Sequence, residues 1–488
     1  MRFPQSWPFR LALLFTLIWT IWVGYWWVQT PLIGTGDAAS YVCSAQSIME
    51  NGFFPGEWYP SGFGFSLLIA ALHLGGMEWV TAARLLSFLL GAAAIPLAGA
   101  VLSRFFQDDR AYVLVLPLFL LPEYIHHALL GYVGTVSFFF LFASLFLLQR
   151  AQDAPHERKD SSLWQAAGLF GFSLWTRLAT LAFLPFFWTK TKNIPPRKKT
   201  VFGAIILFFA LLFFVALAFN QRDDTSLRYL SVSDFANVII PNAVMYLLQI
   251  SYTFPFLLFT FLLWPLALKP GQVKDMLWWF LPSILFLLLF PLGNNLYYVF
   301  PLLPFFLVAG FKSVEGVVNR IHSPQTGRMV LLVLLILQFL WLAPALTQVG
   351  DRVYRYQDFH AGFQYIQSNA PADALIITGR EGESMGVFFQ NWGSCDQGNK
   401  PEMLVHPYTV THLFNNKDMN AHRAYEEARL QTALNSNRTV WITSEAYWFA
   451  REGWCPVLDC IPLPEAPTQP IWEYRSYAIY SSSIPPTN

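Results

Sequence analysis

The chain has 488 residues, of which 55% are hydrophobic and 12% are charged, and its formal net charge is +1. This composition excludes an ordinary soluble protein, in which about a quarter of the residues are charged. The small net charge and the lack of a basic stripe also argue against a nucleic-acid partner.

Apolar runs of membrane-spanning length recur from Leu11 to about Thr347, after which the composition becomes ordinary. We therefore predict a polytopic α-helical membrane domain over 1–349 and a soluble α/β domain over 350–488. The apolar runs predict eleven spanning helices, over 11–28, 80–103, 111–122, 132–149, 163–176, 178–188, 201–219, 243–268, 276–292, 296–311 and 329–347. The apolar segment 62–76 is too short to span, so we expect it along the outer membrane surface.

Basic residues predict the orientation of these helices, because cytoplasmic loops carry an excess of lysine and arginine. With the N-terminus inside, the predicted cytoplasmic loops hold seventeen basic residues. The opposite side of the membrane domain holds four, namely Arg84, Arg177, Arg222 and Arg228. We expect a multi-pass protein of the plasma membrane, with a bacterial inner membrane favoured, a cytoplasmic N-terminus and an extracytoplasmic C-terminal domain. The first helix is expected to stay uncleaved, because no small-residue cleavage site follows it.

All the cysteines fall on the outer side under this topology. They are Cys43, Cys395, Cys455 and Cys460. This distribution fits an oxidising compartment, in which disulfides persist. A disulfide within the C-terminal domain is favoured, and its connectivity stays open.

The sequence of the C-terminal domain predicts a small α/β unit. Helices are predicted over 359–369 and 421–435, and strands over 374–378, 439–443 and 474–480. No glycine-rich phosphate loop or nucleophile elbow occurs in it, so no nucleotide cofactor is expected.

The first outer loop, residues 29–79, contains the residues best suited to chemistry. It holds the carboxylates Asp37, Glu50, Glu57 and Glu78 and no lysine or arginine. It is also rich in glycine and aromatic residues, whose rings can pack on the apolar faces of sugars while carboxylates bind hydroxyl groups. The alternative is a solvated loop whose aromatic side chains lie at the membrane interface.

Asp37 is the most informative residue of this loop. Asp37, Tyr41, Ala45 and Ile48 recur at three- and four-residue spacing, which predicts a helix with Asp37 at its N-terminal end. The helix dipole favours an ionised carboxylate there, and a general base has to be ionised. The alternative is that Asp37 only caps the N-terminus of this helix, because an N-cap aspartate would occupy the same position.

Several motifs occur together in the membrane domain. The pattern Gly-Asp-x-x-x-Tyr-x-x-x-Ala-x-x-Ile begins at Gly36, and Tyr-Pro-Ser-Gly-Phe follows at 59–63. The others are Arg84 at the start of the second helix, Leu121-Pro122, Thr176-Arg177 and the Tyr-Tyr-Val-Phe-Pro-Leu-Leu-Pro stretch at 297–304. In their order, these motifs resemble the GT-C membrane glycosyltransferases. The closest likeness is to the dolichyl-phosphate-mannose–protein mannosyltransferase and lipid A aminoarabinose transferase group, over most of 11–310.

The resemblance implies a transferase that moves a sugar from a polyprenyl-phosphate donor to a glycan, lipid or protein acceptor outside the cytoplasm, within membrane lipid. It implies that Asp37 is the general base and that Arg84 and Arg177 contact the donor phosphate. Candidate substrate-binding residues are Tyr41, Glu57, Tyr59, Tyr297 and Tyr298. Glu57 is also the candidate ligand for a divalent metal, although the identity of any cofactor stays open.

Two positions depart from the pattern of the family. Where some relatives carry an outer aspartate between the third and fourth helices, this chain has Glu123, His126 and His127. Where relatives often carry a basic residue before the late Tyr-Pro motif, it has Asn294 and Asn295. The departures bear on metal dependence and on binding of the phosphate.

The proposed chemistry independently requires groups of these kinds. Displacing a lipid phosphate from an anomeric carbon passes through an oxocarbenium-like transition state. It needs a base for the incoming hydroxyl and positive charge for the departing phosphate. An arginine within a membrane segment costs at least ~2.5–3.5 kcal/mol and usually marks function. Snorkelling to the headgroups is the alternative for both Arg84 and Arg177.

Two other functions stay open, a transporter or flippase for a lipid-linked solute and a non-catalytic membrane scaffold. A transporter should show inverted repeats and broken helices that meet at the membrane midplane. The sequence shows neither, and its acidic residues cluster at the outer face.

Overall fold

The protein is described here by a computed structural model. The structure describes residues 6–34, 37–51, 62–153, 156–192, 194–218, 268–289, 299–371, 374–378, 402–405, 438–446 and 469–482, with shorter pieces within 244–255 and 428–436.

The described part of the chain is mainly helical, with strands only near the C-terminus. Its helices are α1 (Trp7–Gln29), α2 (Asp37–Asn51), α3 (Phe63–Leu74), α4 (Trp79–Phe106), α5 (Ala111–Leu114), α6 (Pro122–Leu130), α7 (Val133–Asp153), α8 (His156–Thr176), α9 (Leu184–Lys190), α10 (Pro196–Ala218), α11 (Pro270–Leu289), α12 (Leu303–Ile321) and α13 (Pro324–Asn369). Short 3-10 helices cover Leu116–Leu120 and Leu178–Phe183. The strands are β1 (Leu375–Thr378), β2 (Glu402–Val405), β3 (Val440–Thr443), β4 (Trp472–Tyr474) and β5 (Tyr477–Ser482).

Five of the described helices are long and apolar enough to cross a membrane, namely α1, α4, α7, α10 and α13. A bent pair, Ala111–Leu120 with Pro122–Leu130, makes a sixth if it counts as one span. The chain is therefore an integral membrane protein with a helical membrane part, as predicted. The predicted number of eleven spans stays a prediction, because parts of the predicted helices over 243–268 and 296–311 lie outside the described residues.

The helix predicted over 111–122 ends where predicted, but it consists of α5 followed by the 3-10 helix Leu116–Leu120 and is not one continuous α-helix. The chain bends by 71° between the 3-10 helix ending at Leu120 and α6. Leu121 is extended (φ −62°, ψ 128°), as expected for a residue before proline, and Pro122 starts the next helix. Part of the predicted outer turn between the third and fourth helices is consequently α6.

The outer surface of α1 is suited to lipid. Leu14, Leu17 and Ile21 are more than half exposed, whereas Trp19 and Val23 are buried. The Trp19 indole Nε1 donates a hydrogen bond of 2.8 Å to the Phe119 carbonyl. The indole N–H of Trp19 is thus satisfied inside the bundle, as a dry environment requires.

The segment expected along the outer membrane surface is helix α3. Phe65 and Ile69 are fully buried, and α3 packs against α2, α4 and α8. This segment of the first outer loop therefore packs into the helical bundle, where it contacts α8.

The 46-residue helix α13 joins the membrane part to the C-terminal sheet. The predicted helices over 329–347 and 359–369 are parts of this one helix. The boundary predicted at residue 350 therefore falls inside a helix. Phe359, Phe363 and Ile366 lie on its buried face and belong to the same apolar cluster as Ile376 of β1 and Tyr477 of β5. The sheet is thus packed on the last turns of α13.

The sheet is mixed, with strand order β2-β1-β3-β5-β4. Strand β1 pairs in parallel with β2 and β3, and β5 pairs antiparallel with β3 and β4. The predicted single strand over 474–480 is wrong, because β4 and β5 form a hairpin that turns at Arg475 and Ser476. Arg475 has a left-handed φ of 52°, and no glycine or asparagine marks the turn.

The bundle has two distinguishable ends. At one end, called the Phe9 end, the Phe9 ring lies 5.3 Å from the Tyr112 ring. At the other end, called the Trp27 end, the Arg84 side chain lies beside Trp27. The Phe9 end carries a network of ion pairs. Arg110 pairs with Asp108 and with Glu315 at 2.7 Å each, and Lys312 pairs with Asp108 at 2.7 Å. These contacts tie the turn after α4 to α12.

Replacing Asp108 by asparagine should destabilise the Phe9 end. Burial of Asp108 raises the pKa of its carboxyl, but the hydrogen bonds from Arg110 and Lys312 outweigh burial and hold that pKa well below its usual range. The variant leaves both cations with a poorer partner, so we expect a loss of about 1–3 kcal/mol at pH 7, measured as thermal unfolding in detergent.

The pH dependence supplies a second check. A lowered folded-state pKa stabilises the protein fully above the unfolded value of ~3.9, and the benefit disappears as the pH falls towards the folded value. The gap between wild type and D108N should therefore narrow below about pH 4. D153N is the matched control, since Asp153 is 71% exposed and 3.9 Å from Arg104. Equal melting of D108N and D153N would contradict the assigned role.

Candidate functional site

The first outer loop leaves α1 through a close contact at Gly34. Its backbone N–H donates a hydrogen bond of 2.8 Å to the Leu130 carbonyl at the end of α6. A Cβ atom on Gly34 would overlap the Tyr132 ring. Glycine is therefore required here for the loop to pass beneath Tyr132, three residues before α2 begins at Asp37.

The buried side chain of Arg84 links three helices by hydrogen bonds. Its Nε donates a hydrogen bond of 3.0 Å to the Leu129 carbonyl, and its Nη2 donates to the Trp27 carbonyl. The guanidinium carbon also lies 4.8 Å from the Trp27 ring centroid. Both carbonyls are in the last turns of their helices, where the helix dipole is negative and carbonyls lack helical partners. Arg84 thus joins α4 to the C-terminal ends of α1 and α6.

The start of α2 packs against the start of α4. Ala38 and Ala39 share a buried apolar cluster with Ala82 and Ala83. These small side chains bring the backbones of the two helices close together. Asp37, at the first position of α2, is therefore placed at the Trp27 end, on the helix that packs beside the Arg84 turn.

Helix α3 connects α2 to the segment that contains Arg177. The Tyr41 ring packs edge-on against Phe65 at 5.4 Å, and Ser66 Oγ donates a hydrogen bond of 3.0 Å to the Tyr41 carbonyl. A Cβ atom on Gly64 would lie 2.9 Å from the Trp175 Cβ and 3.0 Å from the Thr176 backbone nitrogen. The backbone of α3 therefore lies directly against the end of α8.

Arg177 lies in the short break between α8 and the following 3-10 helix. Its backbone is extended (φ −160°, ψ 114°), its N–H donates to the Ser173 carbonyl at 2.9 Å, and its carbonyl accepts from Thr180 Oγ1. The backbone of Arg177 is thus held on both sides, and its side chain is half-buried.

His127 brings together elements that are far apart in the chain. Its buried ring lies 4.6 Å from the Tyr132 ring and 5.6 Å from the Phe300 ring, which belongs to the late Tyr-Pro motif. Arg177, Arg352 and His126 all act on His127 electrostatically. Arg177 and Arg352 therefore bring positive charge from the α8 break and from α13 to the Trp27 end.

Sequence reasoning did not single out Arg352, because it ended the last membrane helix at residue 347. In the structure, Val349, Arg352, Val353 and Tyr356 line one face of α13, beside His126. Their three- and four-residue spacing was the available signal, since it continues the helical pattern past residue 347.

Only some of the predicted site residues lie in the described part of the structure. The elements that carry Asp37, Arg84 and Arg177 meet at the Trp27 end. Tyr41 is 1% exposed, and its described contacts are with α3, so its role in substrate binding stays a prediction. The remaining predicted residues, Glu57, Tyr59, Tyr297 and Tyr298, lie outside the described residues. The described residues contain no group of three or more metal-binding side chains, and the predicted metal ligand Glu57 is not among them.

The close approach of α3 to α8 predicts the effect of G64A. A methyl group at this position meets backbone atoms that cannot rotate away, so α3 and the Thr176–Arg177 segment must separate. We expect overpacking to cost about 1–3 kcal/mol of stability, measured as thermal unfolding in detergent. The matched control is G168A, because nothing lies within 4 Å of a Cβ at Gly168. Equal stability of the two variants would show that this contact is unimportant.

The contacts of Arg84 predict the effect of R84K. Lysine keeps the charge, but its single ammonium cannot reproduce the planar fork that reaches both the Trp27 and Leu129 carbonyls. We expect a stability loss of about 1–3 kcal/mol for the poorly satisfied carbonyls. Thermal unfolding measures this loss, and binding of polyprenyl phosphate is measured in parallel. Weaker binding with unchanged stability would instead indicate direct contact of Arg84 with the phosphate of that lipid.

No protein-family profile matches the chain, and no curated protein matches it in sequence. Solved structures do match. ArnT from Cupriavidus metallidurans in the apo state has a TM-score of 0.51 and 12% identity, over 96% of this chain and 97% of that chain. The same protein bound to undecaprenyl phosphate has a TM-score of 0.53 and 12% identity, over 96% and 98%. The apo oligosaccharyltransferase of Archaeoglobus fulgidus has a TM-score of 0.54 and 10% identity, over 91% and 70%. These proteins have the GT-C fold, so the fold expected from the sequence motifs is confirmed for this chain.

Proposed function

We propose that this protein is a membrane glycosyltransferase that moves a sugar from a polyprenyl phosphate to an acceptor hydroxyl. The observation that carries the proposal is the packing of α2, α3 and the end of α8. This packing brings the elements that bear Asp37 and Arg177 together at one end of a GT-C fold. The structural match to an ArnT bound to undecaprenyl phosphate supports a polyprenyl-linked donor.

Asp37 is proposed as the general base. It occupies the first position of α2, where the helix dipole favours its ionised form. In the reaction, this carboxylate takes the proton of the acceptor hydroxyl as the oxygen attacks the anomeric carbon. The bond from that carbon to the donor phosphate oxygen breaks, and the polyprenyl phosphate leaves as an anion.

Arg177 is proposed as the main cation for the departing phosphate. Its backbone is held by Ser173 and Thr180, so the side chain starts from a fixed position. Preorganised positive charge stabilises the transition state without a cost of reorganisation when the phosphate leaves. Arg84 adds positive charge nearby, and its direct contact with the donor is the outcome that R84K tests.

The Trp27 end is proposed to face the extracytoplasmic side of a bacterial inner membrane. The Phe9 end carries Arg104, Arg110, Lys190, Lys269 and Lys312 in paired or hydrogen-bonded positions. This clustering of basic residues supports a cytoplasmic location for the Phe9 end. The N-terminus is then cytoplasmic, and the C-terminal domain, which packs on the far part of α13, is extracytoplasmic.

A divalent metal would depend on Glu57 and on partners outside the described residues, and the described residues do not provide a ligand set of their own. The steps proposed above therefore use only protein groups. The acceptor class, whether glycan, lipid or protein, is not narrowed by the described geometry.

Replacing Asp37 by asparagine tests the proposal. The amide keeps the size of the side chain but cannot take a proton, so we expect transfer to fall by at least about a hundredfold. Mass spectrometry of glycans and lipids from cells with and without the protein first identifies the product. The yield of that product from D37N is then compared with wild type at equal membrane level.

The control is D351N, which makes the same chemical change at an exposed position on α13 near the same end. It should retain wild-type transfer. Full activity of D37N would refute the general-base role. A product-free wild type, with a solute moved across vesicles instead, would favour the transporter alternative.

A further inference from the structure

Cys43 lies in α2, six residues after Asp37, and is 3% exposed. It is disulfide-bonded. The sequence has only three other cysteines, Cys395, Cys455 and Cys460, and all of them belong to the C-terminal domain. A disulfide within this chain therefore has to join Cys43 to one of these three residues, which lie outside the described part of the structure.

Noncovalent contacts already bring this domain to the Trp27 end. Gln357 Nε2 donates a hydrogen bond of 2.9 Å to the carbonyl of Gln29, the last residue of α1. Arg475, in the turn between β4 and β5, donates to Gln357 Oε1 at 3.3 Å and lies 3.6 Å from Asp358 Oδ1. The sheet is therefore held close to the end of α1, where the first outer loop starts.

We propose that the Cys43 disulfide is a positioning bond, which fixes α2, and with it Asp37, against the C-terminal domain. The inference rests on the proposed function, because it assigns the bond to the placement of the general base. The bond removes two protons and two electrons from the paired thiols. A disulfide-forming thiol oxidase of an oxidising compartment accepts them. Both sulfur atoms must therefore face the same, extracytoplasmic compartment.

A positioning bond differs from a merely stabilising one in its kinetic effect. Loss of the bond lets α2 shift relative to the bound donor, and a displacement of about 1 Å can cost a hundredfold in rate. We expect C43A to lower kcat by roughly tenfold to a hundredfold, with the KM for the donor changed less than about twofold. A merely stabilising bond would lower the melting temperature and leave kcat unchanged at a temperature where the variant is folded.

The bond itself is tested first, without any assay of activity. Full-length protein is extracted with N-ethylmaleimide present, denatured without reductant and digested for mass spectrometry. We expect the Cys43 peptide to be joined to a peptide that contains Cys395, Cys455 or Cys460. Finding Cys43 alkylated by N-ethylmaleimide would overturn the proposal, whatever the protein catalyses.

The kinetic role is tested by a double-mutant cycle between Cys43 and its mapped partner. Each single alanine variant should lower kcat to the same extent, and the double variant should be no worse than either, because all three lack one and the same bond. Alanine at the two remaining cysteines is the control, and kcat should stay near wild type.

The outcomes separate this inference from the proposed function. A mapped bond with unchanged kcat in C43A would overturn the positioning role while leaving the transferase intact. If D37N retained full activity, the general-base role would fail, and a kcat loss in C43A could no longer be assigned to the placement of Asp37.

Discussion

The interaction on which the Trp27 end depends is the hydrogen bonding of one buried guanidinium to the ends of two helices. Arg84 donates to carbonyls in the last turns of α1 and α6, where the regular helical N–H partners run out. Because α6 then presents Leu130 to the Gly34 N–H, the same contact determines where the first outer loop starts. The position of α2 therefore follows from satisfying backbone groups in a dry environment.

The membrane part and the C-terminal sheet are coupled by a continuous helix. The first half of α13 exposes apolar side chains such as Leu332, Ile336 and Leu340, whereas its last turns bury Phe359 and Phe363 against the sheet. One continuous helix thus presents apolar side chains to lipid in its first half and packs against the core of the sheet in its last turns. Movement of the sheet relative to the bundle has to bend this helix or break the Gln357–Gln29 contact, so the domain is a fixed part of the Trp27 end.

Sequence reasoning predicted the parts of the fold that depend on apolar length. Helices predicted over 11–28, 80–103 and 132–149 begin and end within four residues of α1, α4 and α7. Sequence reasoning failed where backbone conformation decides the outcome, as at the Arg475 turn, and it missed helix α6, which follows the predicted helix end at Leu121–Pro122. The helical start of α2 at Asp37 was predicted from spacing and agrees with the structure. The setting of Arg84 was not predictable, because its partners are backbone carbonyls, which carry no sequence signature.

The two arginines of the candidate site differ in solvation, and this difference separates their roles. Arg84 is 6% exposed and is surrounded by carbonyl oxygens and an indole ring, so the cost of burying its charge is offset by protein groups. A phosphate would have to compete with those partners to bind it. Arg177 is only half-buried, on an extended backbone between two helices. The charges of Arg177 and Arg352 both act on the buried His127 ring. Under the proposed function, the difference in burial favours Arg177 for binding the departing phosphate and Arg84 for keeping the helix ends in place.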